Sequence, residues 1–217
     1  MKLNSQTLKT SLRRFARQET GAALVEYAIV LPLFLLLLLG VIDFGRYSGK
    51  FVMVQKALER GARVAAVRPA ICAGVPQTHT RAPVVGNAVP PKFGTSCSAG
   101  NVCANPGTIT CPLDTNNATG AEIWNRIAAV MPNGVVATQV SVSYAYDQNL
   151  GFVGGPYVPL VTVELTTANF DFVTPLGALA TLASGIVNPN GAPSGTVPFP
   201  AMSVTLPGED LNLGNNG

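Results

Sequence analysis

The sequence lacks most of the residues and motifs that support catalysis. It has one histidine among 217 residues, His79, and it contains no Gly-x-Ser-x-Gly nucleophile elbow, no phosphate-binding loop and no dinucleotide fingerprint. The acids after residue 69 are scattered along the chain, where solvated faces and turn caps explain them. An anchored hydrolase would need a cluster of such residues, which the sequence does not display. We therefore expect a protein that is not an enzyme and that uses no cofactor.

Charged residues are also scarce, at 12% of the chain, and they are unevenly distributed. Residues 1–68 carry eleven basic and four acidic side chains, a net charge of +7, whereas residues 69–217 carry three basic and seven acidic side chains, a net charge of −4. A distal part with this negative charge does not suit the phosphate backbone of nucleic acids. We expect no nucleic-acid partner.

One long apolar run stands near the N-terminus, at residues 22–42. At about 1.5 Å per residue, a helix of this length reaches roughly 31 Å, enough to cross the core of a bilayer. Several basic residues precede the run: Lys2, Lys9, Arg13, Arg14 and Arg17. The sequence therefore predicts a single membrane span, with residues 1–21 as a basic cytoplasmic leader and residues 43–217 outside.

A secretory signal peptide or a plain signal anchor is the alternative for this N-terminus. The apolar core of a signal peptide runs about 7–15 residues and ends at a small-residue cleavage site. Here the run is longer, and Asp43 to Arg46 follow it without an Ala-x-Ala pattern. We therefore expect no cleavage after the run. An uncleaved signal anchor remains an alternative.

Glu26 lies inside the apolar run, where a plain anchor has no need of an acid. A charged residue within a membrane segment costs about 2.5–3.5 kcal/mol on insertion scales, and it needs a partner. Cleavage after Gly21 would make Ala22 the new N-terminus, whose α-ammonium could pair with Glu26 on the same or a neighbouring helix. The alternative is that Gly21 is an ordinary flexible residue and that Glu26 extends to the cytoplasmic interface.

The basic leader, Gly21, Ala22, the Glu26-Tyr27 pair and the following apolar helix resemble the class III signal of type IV prepilins, in the form of the type IVb Flp branch. The match continues through IVLPLFLLLLLGVIDFGRY and KALERGARVAAVR, so that residues 13–68 resemble the TadE-like family of pilus-assembly proteins. TLPGEDL, at residues 205–211, is similar to a short motif near the end of those proteins. Because Flp pilins are much shorter than this chain, the resemblance implies a minor pilin or pseudopilin of a Tad-type secretion and pilus system.

The resemblance also implies partners and a location. A prepilin peptidase would cut between Gly21 and Ala22, and the mature subunit would assemble with other Tad pilins, pseudopilins and inner-membrane assembly proteins. The protein would be a single-pass protein of the inner membrane with a periplasmic distal domain, or would lie in the pilus or at its tip. The alternative function is an unprocessed, signal-anchored periplasmic binding or adhesive protein.

Apolar residues continue the helical period beyond the span, through residues 43–68. They recur at steps of three and four: Phe44, Tyr47, Phe51, Val54, Leu58, Ala62 and Ala65. Pro69 should end the helix, since the residue before a proline is biased out of the helical region. We expect one helix over residues 22–67, with an i, i+4 pair between Glu59 and Arg63.

Residues 69–118 are rich in Pro, Gly, Ser, Thr, Asn and Cys, and a loop of this length is functional, cross-linked or poorly ordered. All four cysteines lie in it: Cys72, Cys97, Cys103 and Cys111. On the external side they predict two disulfides, with three possible pairings that the sequence leaves open. Zinc is the competing interpretation, but the spacings lack a Cys-x-x-Cys knuckle. We expect no metal, and a solvated His79.

Residues 119–217 predict an external α+β domain of pilin-like fold. The residues Thr119-Gly-Ala-Glu122 match a capping box and open a helix through about residue 131, which should bury Ile123, Trp124, Ile127 and Val130. Residues 135–146 and 157–167 alternate as paired strands, residues 176–183 predict a short helix, and residues 201–206 a last strand. A small antiparallel sheet packed on the long helix would bury this apolar set. Glu209 and Asp210 fit a surface turn better than a calcium site.

Overall fold

The computed structural model describes residues 21–84, 86, 89–174, 177, 185, 196–209 and 211. These residues divide between two compact units. The first unit falls within Met1–Arg46 and Phe172–Gly195, and the second within Tyr47–Asp171 and Thr196–Gly217. Residues 1–20 of the predicted leader and nearly all of the helix predicted at residues 176–183 lie outside the described residues.

The long helix α1 runs over Ala22–Val67 and contains Pro32. It ends two residues before Pro69, as expected from the restriction that a proline places on the residue before it. The uninterrupted helix supports the expectation that helical periodicity continues past the apolar run. Together with the antiparallel sheet described next, it confirms the predicted α+β class.

The main sheet of the second unit has four antiparallel strands in the order β1, β2, β3, β6. The strands are β1 (Thr108–Pro112), β2 (Val140–Ala145), β3 (Leu160–Leu165) and β6 (Met202–Pro207). Strands β2 and β3 pair as predicted, with Val142 opposite Val163, but β2 starts later than predicted because Ala137–Gln139 form a 3-10 turn. Strand β1 lies in the region predicted to be a loop.

A second, two-stranded sheet pairs β4 (Asn169–Asp171) with β5 (Thr196–Pro198). An aromatic cluster lies beside it. The ring of Tyr47 on α1 stacks on Phe199 at 4.9 Å between centroids and meets the edge of Phe170 at 5.5 Å. Such pairs add about 0.5–1.5 kcal/mol beyond their buried area, so the sheet holds this part of α1.

Helix α2 runs over Ala118–Ile127, followed by a 3-10 turn at Ala128–Val130. The predicted capping box at residues 119–122 is wrong, since Asn117 caps the helix. Its side-chain oxygen accepts hydrogen bonds from the amides of Thr119 and Gly120, at 2.9 and 3.3 Å. Asparagine is as good a cap as serine or threonine, and it starts the helix two residues earlier. Ile123 and Ile127 are buried as predicted, whereas Trp124 and Val130 are half-buried.

The core of the second unit lies between α1, α2 and the main sheet. The predicted apolar face of α1 is fully buried at Val54, Leu58, Ala62 and Ala65, while Phe44 is 69% exposed. The helix approaches its neighbours closely at Gly61, because a Cβ atom added there would lie 3.3 Å from Ile123 of α2 and 4.0 Å from Val163 of β3. The prediction that a small antiparallel sheet packs on the long helix therefore holds for residues 47–67.

Candidate membrane anchor and assembly site

The apolar run of α1, at residues 22–42, is largely exposed in the described structure. The most apolar stretch of the helix has a mean hydropathy of 2.6, and none of it is buried inside the protein. Large apolar side chains are exposed along this part of the helix: Leu24, Val25, Ile29, Val30, Leu33, Phe34, Leu37 and Val41. Among the described residues this is the one helix long and apolar enough to cross a membrane. One N-terminal apolar helix of this kind suggests a membrane anchor that carries a C-terminal domain.

Gly21 lies directly before α1, and Ala22 is the first residue of the helix. Gly21 is exposed, and a Cβ atom added to it would meet no described atom within 4 Å. Its φ angle is not among the positive values that would require glycine. Neither packing nor backbone geometry in the described part of the chain therefore demands a glycine at this position.

Glu26 lies in the second turn of α1 and is exposed. The structure shows no hydrogen bond or ion pair between its carboxylate and another described residue. Its neighbours on the helix surface, at positions i−3, i+3 and i+4, are Ala23, Ile29 and Val30. The Glu26 carboxylate thus lies on an apolar surface, and no described residue of this part of the chain neutralises its charge.

A second acid on α1, Asp43, was missed by the sequence reasoning. Its side chain is 1% exposed, and Arg46 one turn later donates to Oδ1 at 3.0 Å. The backbone amide of Thr174 donates to Oδ2 at 3.0 Å, and the Thr174 hydroxyl donates to the same oxygen. Asp43 is therefore a buried, fully paired carboxylate that holds Thr174 to the helix within the first unit.

The structure joins the four cysteines in two disulfides, Cys72 with Cys111 and Cys97 with Cys103. The first connects the chain just after α1 to strand β1, and the second closes a short turn that includes the 3-10 helix Cys97–Ala99. This is one of the three pairings that the sequence left open. Both disulfides belong to the second unit, so the long region between α1 and α2 is cross-linked.

His79 is buried, at 2% exposure, and the expectation of a solvated side chain is wrong. Its Nε2 accepts a hydrogen bond from the amide of Val158 at 3.2 Å, and its ring packs against Tyr157 at 5.0 Å between centroids. Burial lowers the pKa of His79 below its usual value, so the imidazole is neutral at pH 7. Its surroundings come from residues 151–158, which are distant in sequence and gave no local signal.

Ion pairs on α1 and α2 differ from the one predicted. Glu59 pairs with Lys56 at 3.0 Å and not with Arg63. Glu122 on α2 bridges Arg68 and Arg126, at 3.0 and 2.6 Å. All of these side chains are partly or fully exposed, so each pair contributes at most about 1 kcal/mol.

Comparison with known families finds a similarity in the N-terminal part of the chain. Residues 21–63 match a family model described as TadE-like protein, in agreement with the resemblance seen in the sequence. The matched segment is 43 of 217 residues and contains Gly21, Glu26 and Asp43. No curated protein and no solved structure matches the chain. The similarity to TadE-like proteins thus covers Gly21 and most of helix α1.

Proposed function

We propose, from the TadE-like character of residues 21–63, that this protein is a minor pilin or pseudopilin of a Tad-type pilus system. It is cut between Gly21 and Ala22 by a prepilin peptidase and assembles through helix α1. The observation that carries the proposal is that the matched segment includes the exposed apolar part of α1 and continues into the part that is buried in the second unit. A surface of this kind is suited first to lipid and then to the helices of other subunits.

In this proposal, residues 1–21 are a cytoplasmic leader, residues 22–42 cross the inner membrane and residues 43–68 continue the helix on the far side. The excess of basic residues before the span supports this orientation. The two disulfides fit an oxidising periplasm. The distal domain then lies in the periplasm, or on the pilus after assembly.

The absence of a packing reason for Gly21 supports its role as a recognition residue. A Cβ atom at Gly21 would make no contact with the described residues, and the φ angle there is not positive. The fold of the described residues therefore does not require glycine at this position. A peptidase that binds the chain in an extended form at this point would instead require a residue without a side chain. Cleavage there exposes the α-ammonium of Ala22.

Glu26 gives the assembly its specificity. Between two helices in lipid there is no hydrophobic driving force, so packing and polar contacts must supply the attraction. An unpaired acid in the span costs about 2.5–3.5 kcal/mol, and pairing with the α-ammonium of a neighbouring mature subunit removes much of this cost. The same pairing aligns the two helices at their N-terminal ends.

The first experiment is N-terminal peptide mass spectrometry on membrane-extracted protein, produced with and without a co-expressed prepilin peptidase. We expect a peptide that starts at Ala22 only when the peptidase is present. An intact N-terminus in both samples would contradict processing and would favour the signal-anchored periplasmic binding or adhesive protein.

The second experiment replaces Glu26 by glutamine, which keeps the size and removes the charge. We expect Glu26→Gln to be processed normally but to be lost from purified pili or from cross-linked pseudopilin complexes. Glu59→Gln is the matched control, because it removes an acid from the same helix beyond the span, and it should leave both readouts unchanged. Normal incorporation of Glu26→Gln would refute the charge-pairing role.

A further inference from the structure

A groove in the second unit lies between the C-terminal part of α1 and helix α2. Its volume is about 350 Å³, which is within the range of protein sites that bind small ligands. Two valines give the groove an apolar floor: Val64, which is buried, and Val67, which is 40% exposed. The other described residues that line it are all charged, so the groove combines an apolar surface with a strong local charge.

Helical spacing brings these charged residues together. Arg60, Arg63 and Val67 are at positions i, i+3 and i+7 of α1 and therefore share one face of the helix. Glu122 and Arg126 are at positions i and i+4 of α2 and share a face in the same way. The groove forms where these two faces meet.

Positive charge is in excess in the groove. Glu122 bridges Arg68 and Arg126, at 3.0 and 2.6 Å. Arg60 and Arg63 are exposed, and neither forms an ion pair with an acid in the described part of the chain. Four described arginines and one described glutamate thus give a net charge of +3. Like charges that face one another are destabilising, and an anionic ligand would remove this repulsion.

The contacts of Glu122 show which anion the arginines accept. Its two carboxylate oxygens are held by guanidinium groups from two different parts of the chain, Arg68 and Arg126. Planar guanidinium groups match the geometry of carboxylates, and these charge-assisted hydrogen bonds are stronger than neutral ones. A carboxylate from a partner can pair with Arg60 and Arg63 in the same way.

The length of the groove limits the form of the ligand. Arg60 and Arg68 are eight positions apart, which corresponds to about 12 Å along an α-helix. Val64 and Val67 lie between them in the sequence. An extended peptide covers roughly the same distance in four residues. The best match is therefore a peptide with acidic side chains at both ends and an apolar side chain between them.

Neither nucleic acid nor the undescribed part of this chain fits the groove as well. No aromatic side chain of a described residue lines it, so bases would have nothing on which to stack. The residues that the structure does not describe contain two acids, Glu19 and Asp210, which lie in different stretches. None of these stretches offers two acidic side chains, so the ligand belongs to another molecule.

We propose that this groove binds a segment of a partner protein in which acidic side chains flank an apolar one. The arginines hold the carboxylates, and the two valines contact the apolar side chain. Recognition of acidic motifs by clusters of arginine is a common way to bind peptides. The groove contains neither Gly21 nor Glu26, so this proposal and the proposed pilus function are tested separately.

The test uses the full-length protein in an uncharged detergent. The probe is a fluorescently labelled peptide, Glu-Glu-Val-Leu-Glu-Glu, whose binding is followed by fluorescence polarisation. At about 0.15 M salt the screening length is about 8 Å, which suppresses attraction between distant charges. We expect saturable binding of one peptide per chain. The matched peptide Gln-Gln-Val-Leu-Gln-Gln should bind at least tenfold more weakly.

Variants then locate the site. Arg60→Gln/Arg63→Gln should weaken binding of the acidic peptide at least tenfold. Lys56→Gln/Lys92→Gln is the matched control, because it removes the same charge from exposed positions of the second unit outside the groove. It should change the affinity less than twofold. Circular dichroism checks that both variants are folded. If the arginine pair cannot be changed together, Arg63→Gln alone should still weaken binding more than the control does.

Three results would overturn the proposal. The first is the absence of saturable binding, or equal binding of the acidic and glutamine peptides. The second is an equal loss of affinity in the arginine and lysine variants, which would show attraction by overall charge. The third is binding of a labelled DNA oligonucleotide, dependent on Arg60 and Arg63, by a protein that does not bind the peptide.

Discussion

Removal of the Cys72–Cys111 disulfide should destabilise the second unit far more than removal of the Cys97–Cys103 disulfide. The sequence separations are 39 and 6 residues. In the chain-entropy treatment, the cross-link removes conformations from the unfolded chain in proportion to the logarithm of loop length. For these two loops it gives losses of about 3.9 and about 2.2 kcal/mol at 25 °C. The expected difference is about 1.7 kcal/mol.

The positions of the two disulfides predict the same order of stability losses. Cys72 follows the end of α1 closely, and Cys111 lies in β1, so the first disulfide ties the helix exit to an edge strand of the main sheet. Cys97 and Cys103 close a turn that backbone hydrogen bonds already hold, such as the one from the Cys97 amide to the Gly151 carbonyl at 3.2 Å. Loss of the first cross-link therefore releases elements of the core, and loss of the second releases only a turn.

The measurement is urea unfolding of the full-length protein in detergent, followed by the fluorescence of Trp124, the single tryptophan. Trp124 is half-buried on α2 and so reports on the core of the second unit. Cys72→Ala/Cys111→Ala is compared with Cys97→Ala/Cys103→Ala, and the slopes against urea are compared to verify that the same surface unfolds. Equal losses, or the larger loss for the short loop, would refute the reasoning. Peptide mapping without reductant checks the pairing itself.

Two further predictions concern single side chains of the second unit, each with a matched control. Tyr144→Phe should cost about 1–3 kcal/mol in the free energy of unfolding, because the Ile71 amide donates to its hydroxyl at 3.1 Å and would be left unpaired. Tyr157→Phe, whose hydroxyl has no partner among the described residues, should be neutral or stabilising, and an equal loss in both would contradict the assignment. Gly151→Ala should destabilise much more than Gly134→Ala, since both glycines have φ near +80° but only the first would drive a methyl group into a buried ring. If the two variants lower the urea midpoint by the same amount, backbone strain alone is responsible for the loss of stability.

The elements with a strong local period were predictable from the sequence. Helix α1, the β2–β3 pair and the last strand follow from repeated spacing, which depends only on neighbours along the chain. The cap of α2 was misassigned because Asn117 and Thr119 are both good caps, and only the hydrogen bonds show which one is used. Strand β1 was missed because its five residues, with a cysteine and a proline, carry little apolar signal.

The environment of single polar residues was not predictable in the same way. His79 accepts a hydrogen bond from Val158, 79 residues away, and Asp43 is paired with Thr174, at a separation of 131 residues. No local pattern encodes such partners. The pairing of the cysteines is non-local for the same reason. By contrast, Glu26 could be singled out, because an acid within a long apolar run conflicts with its own immediate surroundings.

The contact between Asp43 and Thr174 also has a consequence for timing. Translation adds about 5–20 residues per second, so at that rate Thr174 is made roughly 7–26 seconds after Asp43. During this interval Arg46, only one turn away, is the partner that can already pair with the Asp43 carboxylate. The two hydrogen bonds from Thr174 can form only once the chain has been synthesised as far as that residue. The Asp43 carboxylate can therefore have only Arg46 of these two partners until Thr174 has been made, and the contact with Thr174 forms later than the one with Arg46.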